Sequence, residues 1–375
     1  MYNEEQTLIR DTARAFAQDV LAPGAAERDR TKTVEPSLFA DMAELGFLGM
    51  TVPEEWDGVG ADYVSYALAL MEIAAGDGAI STIMSVHNAP FNAILTRFGS
   101  DFQKEQVLRP AAKGEFIGAF ALTEAHAGSD AAAIRTKAEK RGDRYVINGG
   151  KEFITSGQIG GWCILFATLD GTRKGITAFL TPTSAPGYEV AKVEEKLGQR
   201  CSDTCSLRFT ELEIPEEYRI GGEGEGYRIA LSSLEAGRIG IASQSVGMAQ
   251  AAFDAAVAYA RERTSMGKRL IEHQAVAFRL AELRTKLEAA RQLVLLAARM
   301  KDAGLPCLNE AAMAKLFASE TAEAVVSGAL QTFGGYGYMA EYPISRFWTD
   351  ARVLRIYGGT SEIMKELVAR SLLGR

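Results

Sequence analysis

The chain has 375 residues, 47% of them hydrophobic, and its 41 basic and 48 acidic side chains leave a net charge of −7. That apolar content supports two or three packed domains. The acidic balance excludes a general nucleic-acid surface, which would carry a basic stripe.

The N-terminus, "MYNEEQTLIRDTARAFAQDVLAP", is interrupted by charges every few residues and has no signal-peptide core. Leu8, Ile9, Ala13, Phe16, Ala17 and Val20 recur at helical spacing, and Pro23 is expected to end that run. "PSLFADMAELGFLGM" predicts a second helix with Ser37 as N-cap and Gly46 near its C-terminal end. The small-residue stretch from Ala61 to Gly99 predicts two further buried helices.

Past residue 118 the texture changes. "RYVINGGKEFITSG", "WCILFATL", "GITAFLTP" and "TCSLRFTELEIP" are β-branched and aromatic runs separated by turn residues, which suits a small barrel or sandwich. No helix alternates with them, so a parallel nucleotide-binding sheet is excluded. After "GGEGEG" helical spacing returns: Leu280, Leu283, Leu287, Ala290, Val294 and Ala297 step by three and four, as a bundle core requires. "NEAAMAKLFASETAEAVVSGALQTFGG" predicts another long helix with a Gly-Gly stop. The expected organisation is multidomain α+β: an all-α domain over 1–117, a β domain over 118–225 and a helical bundle over 226–375.

The four cysteines (Cys163, Cys201, Cys205, Cys307) and three histidines (His87, His126, His273) form no metal-binding or redox spacing. Reduced structural thiols in a cytoplasmic protein are expected, with no metal. No run of eighteen apolar residues predicts a membrane span.

Four stretches carry chemistry or invite it. "GGEGEG" lacks the spacing of a nucleotide loop and reads as a linker. "ALTEAHAGSDAAA", residues 121–133, gathers Thr123, Glu124, Ser129 and Asp130 around a glycine at a strand end, where hydroxyls and amides can meet a polar ligand or simply form a turn. "QTFGGYGYMAEYPISRFWTD", residues 331–350, sets three glycines against tyrosines, a surface suited to a flat ligand. "RIYGGTSEI", residues 355–363, places Gly358 and Gly359 before a helix start, where backbone must turn sharply or a ligand must come close.

Together with "RERTSMGKRLIEHQ", these motifs, in their order and spacing, make the chain resemble the acyl-CoA dehydrogenase flavoproteins along its whole length. The resemblance extends to short-chain and isovaleryl-like members. It implies a helical, a β-barrel and a four-helix-bundle domain, and FAD as cofactor. Phe120, Leu122 and Thr123 would line the flavin, with Ser129 near the pyrophosphate and pantetheine. Phe153 would pack on the ring and Thr155 would hydrogen-bond to it. Arg263, Gln274, Gln331, Gly334 and Gly335 match the clamp on the adenosine end of a neighbouring subunit's FAD, with Met266 in place of a phenylalanine. A site shared in this way implies a homotetramer, a dimer of dimers. Thr360 and Glu362 match the start of the last helix, whose positive end suits a pyrophosphate. Arg238 and Glu235 match positions near CoA, and Tyr357, Gly358 and Gly359 belong to the thioester-contacting loop. Electron-transfer flavoprotein is the implied acceptor.

The family removes an α-proton with a glutamate while a hydride leaves the β-carbon. Most members carry that glutamate where this chain has Gly358; others carry it just before the matched arginine, where this chain has Gly237. Gly358 retains an N–H for the thioester carbonyl but cannot take a proton. Several readings stay open. One is a dehydrogenase whose base comes from elsewhere: Glu235, a water, or a carboxylate on the substrate. The others are different flavin chemistry on a thioester, a catalytically silent acyl-CoA binder, and a glycine introduced at 358 to trap substrate.

Overall fold

The computed structural model describes residues 2–373. Its first part is helical: α1 (Glu4–Phe16), α2 (Ala22–Thr31), α3 (Pro36–Glu44), α4 (Tyr63–Gly76), α5 (Gly78–Val86), α6 (Ala93–Phe98), and the short α7 (Asp101–Gln103) and α8 (Arg109–Ala112). Two expectations are corrected. Pro23 does not end the first helical run, because a π turn over Ala17–Leu21 leads straight into α2. Pro23 then sits in the first turn of α2, directly after that π turn. Ser37 is not an N-cap either: Glu35 is the extended residue and Pro36 starts α3, its fixed φ suiting that position.

Between α4 and α5 the chain turns on one residue. Asp77 closes α4, and its Oδ1 accepts from the N–H groups of Ala79 (3.0 Å) and Ile80 (3.3 Å) at the start of α5. Its other oxygen pairs with buried Arg28 Nε at 2.9 Å.

The β domain contains β1 (Gly118–Ala121), β2 (Lys137–Arg141), β3 (Arg144–Thr155), β4 (Trp162–Thr168), β5 (Ile176–Pro182), β6 (Tyr188–Val193), β7 (Thr204–Pro215) and β8 (Arg219–Ile220). They form one sheet in the order β6-β7-β3-β2-β4-β5-β8, with β1 parallel to β4. Packing on both faces explains why β4 is buried from Cys163 to Thr168. Ile164 and Phe166 pack with Phe91, Ile94 and Leu95 of the helical domain, whereas Cys163, Leu165 and Ala167 pack with Tyr145, Leu207 and Phe209.

His87 fixes the start of β1. Its Nδ1 accepts from the Gly118 N–H at 2.9 Å, so Nε2 carries the proton and donates to the Ala111 carbonyl at 3.0 Å. Burial lowers its pKa to about 4, so it stays neutral and structural.

The bundle consists of α9 (Gly226–Glu262), α10 (Gln274–Asp302), α11 (Leu308–Phe333), α12 (Pro343–Ala351) and α13 (Ser361–Leu372). The six core positions read from the sequence of α10 are all buried. Alanines dominate the facing surfaces of α9 and α11, and small side chains let these helices approach closely. The α9 backbone also meets α4: a Cβ on Gly247 would stand 2.1 Å from the Met71 carbonyl. No helix among the described residues is long and apolar enough to cross a membrane.

Candidate active site

On the sheet side, the local fold is organised by an ion pair that sequence reading did not single out. Lys151 is fully buried, and its Nζ donates to Glu124 Oε1 at 2.8 Å and to the Leu122 carbonyl at 2.9 Å. Glu124 in turn accepts from the backbone N–H groups of Arg135 (2.7 Å) and Thr136 (3.0 Å). Burial acts to raise the Glu124 pKa, but the Lys151 charge and these donors outweigh it and hold the carboxyl below its usual range. Burial pushes Lys151 down to about 8 despite its partner. The pair ties the two ends of the 122–136 segment together and so places Leu122 and Thr123.

The Glu152 N–H donates to the Thr123 carbonyl at 2.9 Å, joining that turn to the end of β3. There the β3–β7 register slips between Lys151 and Ile154. The bulge puts Phe153 at φ 59 and turns its ring outward, 66% exposed. Phe153 is therefore not a core residue of the strand. Thr155 is half-buried one residue past Ile154, and Phe120 packs its ring 5.2 Å from Phe166.

On the bundle side, Gly358 and Gly359 have φ of 62° and 98°, a region that favours glycine. Among the described residues neither N–H donates to another group. Lys315 Nζ, buried in α11, donates to the Gly359 carbonyl at 2.6 Å and so fixes the direction of that peptide. Thr360 caps α13 through the Ile363 N–H at 3.3 Å, and Glu362 lies in the first turn.

Arg238 of α9 is only 5% exposed, and its Nε and Nη1 are enclosed without a hydrogen-bond partner. Burial draws its pKa down to about 10, against the attraction of Glu235. Lys315 falls to about 8, from burial first and then from the charge of Arg238. Two neighbouring buried cations thus lack a bonded carboxylate. Glu235 does not supply it, because its Oε2 is paired with Lys301 Nζ at 3.1 Å and lies 3.9 Å from Cys307 Sγ.

Tyr357 reaches inward from the same loop. Its hydroxyl donates to Gln244 Oε1 at 3.2 Å, and Gln244 Nε2 donates to Ser81 and Thr82, each at 2.9 Å. Thr82 donates to Gln199 at 2.6 Å, and the Gln199 amide reaches the buried Asp350. Burial raises the Tyr357 pKa, which keeps the phenol protonated.

A third region is a cavity of about 620 Å³ between the ends of α9, α10 and α11, lined by Arg263, Gln331, Gly334, Gly335, Tyr336 and others. A Cβ on Gly334 or Gly335 would meet nothing within 4 Å, so the backbone lies open to a ligand. The Arg263 guanidinium lies 5.8 Å from the Tyr336 ring centre. Met266 sits beside this region at φ 47 and is 93% exposed, and Gln274 begins α10. Exposed glycine backbone, a cation and an aromatic ring suit a nucleotide. The outward Phe153 ring and the enclosed, unpartnered Ser156 Oγ suit the other end of a dinucleotide. The residues present fit FAD.

The structure therefore brings Arg263, Gln331, Gly334 and Gly335 into one cavity, and places Tyr357, Gly358, Gly359 and Thr360 together beside Lys315. Thr360 and Glu362 are outside the cavity lining. Lys315 and the Glu124–Lys151 pair were missed by sequence reading. The signal for Lys315 was present: it lies at core spacing among Ala311, Ala314, Ala318 and Ala322.

A helical domain, a β domain and a helical bundle, with free amides at a helix start and an open glycine-rich nucleotide cavity, define an acyl-thioester flavoprotein architecture. The sequence matches the acyl-CoA dehydrogenase N-terminal domain over residues 3–115, the middle domain over 119–212 and the C-terminal domain over 224–373. The chain belongs to the acyl-CoA dehydrogenase family, whose members are FAD-dependent oxidoreductases. It is 43% identical over 373 residues to an acyl-CoA dehydrogenase of Bacillus subtilis (strain 168), covering 99% of this chain and 98% of that one. Among solved structures, butyryl-CoA dehydrogenase from Megasphaera elsdenii superposes with a TM-score of 0.97 at 38% identity, covering 100% and 99% of the two chains. A chain from work on the electron transferring flavoprotein of Acidaminococcus fermentans reaches 0.98 at 41% identity, covering 100% and 99%.

Proposed function

We propose that this chain dehydrogenates a short-chain acyl-CoA thioester at its α,β bond, and that its backbone rather than a carboxylate of its own prepares the substrate. The observation that carries this reading is the pair of free N–H groups at Gly358 and Gly359, in a loop that Lys315 anchors through the Gly359 carbonyl just before α13. A thioester carbonyl bound by the Gly358 N–H would be polarised, which makes its α-proton more acidic. Burial of Arg238 and Lys315 adds positive potential where negative charge develops. FAD, when bound, supplies the acceptor for the β-hydride. Phe153 and the 122–129 turn would hold the flavin end, and Arg263, Gln331, Gly334 and Gly335 the adenosine end.

The exposed Met266, Tyr338 and Phe278 flank or neighbour the nucleotide cavity, and apolar surface of this kind is suited to burial by a second copy. This supports a homotetramer in which the FAD site is shared. Electron-transfer flavoprotein is the proposed acceptor and the cytoplasm the proposed compartment. Because both family base positions are glycine, a flavoprotein that binds acyl-CoA and turns it over feebly is the second reading.

The test is anaerobic absorbance of the purified, FAD-containing protein during titration with butyryl-CoA and longer or branched analogues. The expected result is a shift of the flavin band on binding, followed by slow bleaching. Protein that never retains FAD, or a flavin that no acyl-CoA perturbs, would sink the proposal.

A further inference from the structure

The two family base positions offer different space. At Gly358 the space is taken by the end of one side chain: a Cβ there would stand 1.9 Å from Ile241 Cδ1, which would have to turn aside. Gly237, on the same turn of α9 as Arg238, is open, and its Cβ would meet only the Ala89 carbonyl at 3.8 Å. The next residue of α9, Arg238, carries a buried guanidinium whose Nε and Nη1 are enclosed and unpartnered. A buried cation without an anion is unfavourable, and Lys315 places a second one next to it. The carboxylate that could have answered them, Glu235, is held by Lys301. Tyr357 and Cys307 are no substitute as proton acceptors, because burial raises the pKa of both.

We propose that the space opened at Gly237, against Arg238, binds a carboxylate that does not belong to the chain, and that this carboxylate takes the substrate's α-proton. This rests on the thioester-binding reading above and identifies the base that reading lacks. Two sources share the chemistry: a carboxylate on the acyl chain of the substrate, or a free short-chain carboxylate. In the step, the α C–H bond breaks, an O–H bond forms on the carboxylate, and the C–H electron pair passes into the enolate held at the Gly358 N–H. Reversal in D2O returns a deuteron to the α-carbon, so the step can be followed without any net oxidation.

The experiment uses the FAD-containing protein with its flavin reduced beforehand, in D2O, and measures α-deuteration of recovered thioester by mass spectrometry. Butyryl-CoA binding is measured separately by calorimetry. In carboxylate-free buffer butyryl-CoA is expected to exchange slowly. Sodium acetate is expected to accelerate exchange saturably, by about 100-fold or more, where sodium chloride at equal ionic strength does not. Glutaryl-CoA exchanging without acetate would assign the carboxylate to the acyl chain; acetate dependence alone would assign it to solution. Arg238→Gln should abolish the saturation. Gly237→Glu should exchange without acetate and ignore its addition, an independent check should Arg238→Gln fold poorly. Full-rate exchange of butyryl-CoA in carboxylate-free wild type would overturn the proposal, since the base would then lie within the chain. So would bound butyryl-CoA that exchanges slowly with acetate present, in company with glutaryl-CoA that does the same. Butyryl-CoA that does not bind at all would remove the dehydrogenase reading as well.

Discussion

Gly237 and Gly358 are the same residue type at the two positions where the family resemblance would place a base, and their surroundings differ. Gly237 lies within a regular helix beside open space, and nothing about its backbone demands glycine. Gly358 sits at φ 62 with Ile241 packed into the place of its Cβ. The loop position is filled by the end of a neighbouring side chain, whereas the helix position is open. A side chain added at 237 therefore meets free space, and one added at 358 has first to turn Ile241 aside.

The largest expected effect sharpens that contrast. Gly237→Glu should speed anaerobic flavin bleaching by butyryl-CoA by about 10²- to 10⁴-fold, the usual range for a positioned general base. Gly358→Glu should gain much less, because left-handed backbone strain of about 1–2 kcal/mol adds to the clash with Ile241. Ile241→Val removes the offending Cδ1 at a cost of about 0.5–1.5 kcal/mol. The double variant Gly358→Glu with Ile241→Val should therefore bleach faster than Gly358→Glu alone. Equal rates for the two single glutamate variants would break the comparison.

A second contrast sets Glu124 against Glu235, one carboxylate sealed in the sheet and one half-exposed at the bundle. Lys151→Met leaves Glu124 buried without its cation and should destabilise the protein by about 3–5 kcal/mol in denaturant titration. Lys151→Met with Glu124→Gln should recover part of that loss. Lys301→Met, which breaks the more exposed Glu235 pair, should cost at most about 1 kcal/mol. If the two lysine variants lose equal stability, burial is not what separates these carboxylates.

A smaller effect concerns pH. Burial, aided by Asp77, raises Asp350 to about 7 in the folded chain. Between roughly pH 4 and 7 the native state keeps a proton that the unfolded chain has lost. Stability from this group is thus full below about pH 4, falls as pH rises through that window, and is gone above it. Asp350→Asn retains an oxygen for the Gln199 N–H and removes the titration. The stability difference between variant and wild type, read from urea midpoints, should shift by about 2–4 kcal/mol in favour of the variant from pH 4 to pH 8. No shift would mean that Asp350 is ionised throughout.

Much of this molecule was legible in its sequence, and the reasons are local. Periodicity gave the long bundle helices, since Leu280 to Ala297 can bury one face only as a helix. The motif around Gly334 showed its open backbone because few other functions need glycines in that pattern. What escaped depends on partners far away in the chain. Pro23 looked like a stop because a π turn leaves little trace in composition. Lys151 looked like an ordinary strand lysine because its partner, Glu124, comes from the turn after β1, far from it in the chain. The emptiness at Gly237 and the fullness at Gly358 differ only through Ala89 and Ile241, which no motif links to them.

Phe153 provides the smallest prediction and a check on how far a local signal reaches. A phenylalanine in a strand commonly faces the core, and truncating a core phenylalanine costs about 3–5 kcal/mol. The bulge instead leaves its ring 66% exposed at φ 59. Phe153→Ala should therefore leave the stability of the FAD-free protein within about 0.5 kcal/mol. Its effect should appear in cofactor retention, where loss of one ring stack is worth about 0.5–1.5 kcal/mol, or up to roughly tenfold in FAD affinity. Equilibrium dialysis against FAD, beside thermal unfolding of the stripped protein, separates the two quantities. A large loss of stability with unchanged FAD affinity would return Phe153 to the core and place the flavin elsewhere.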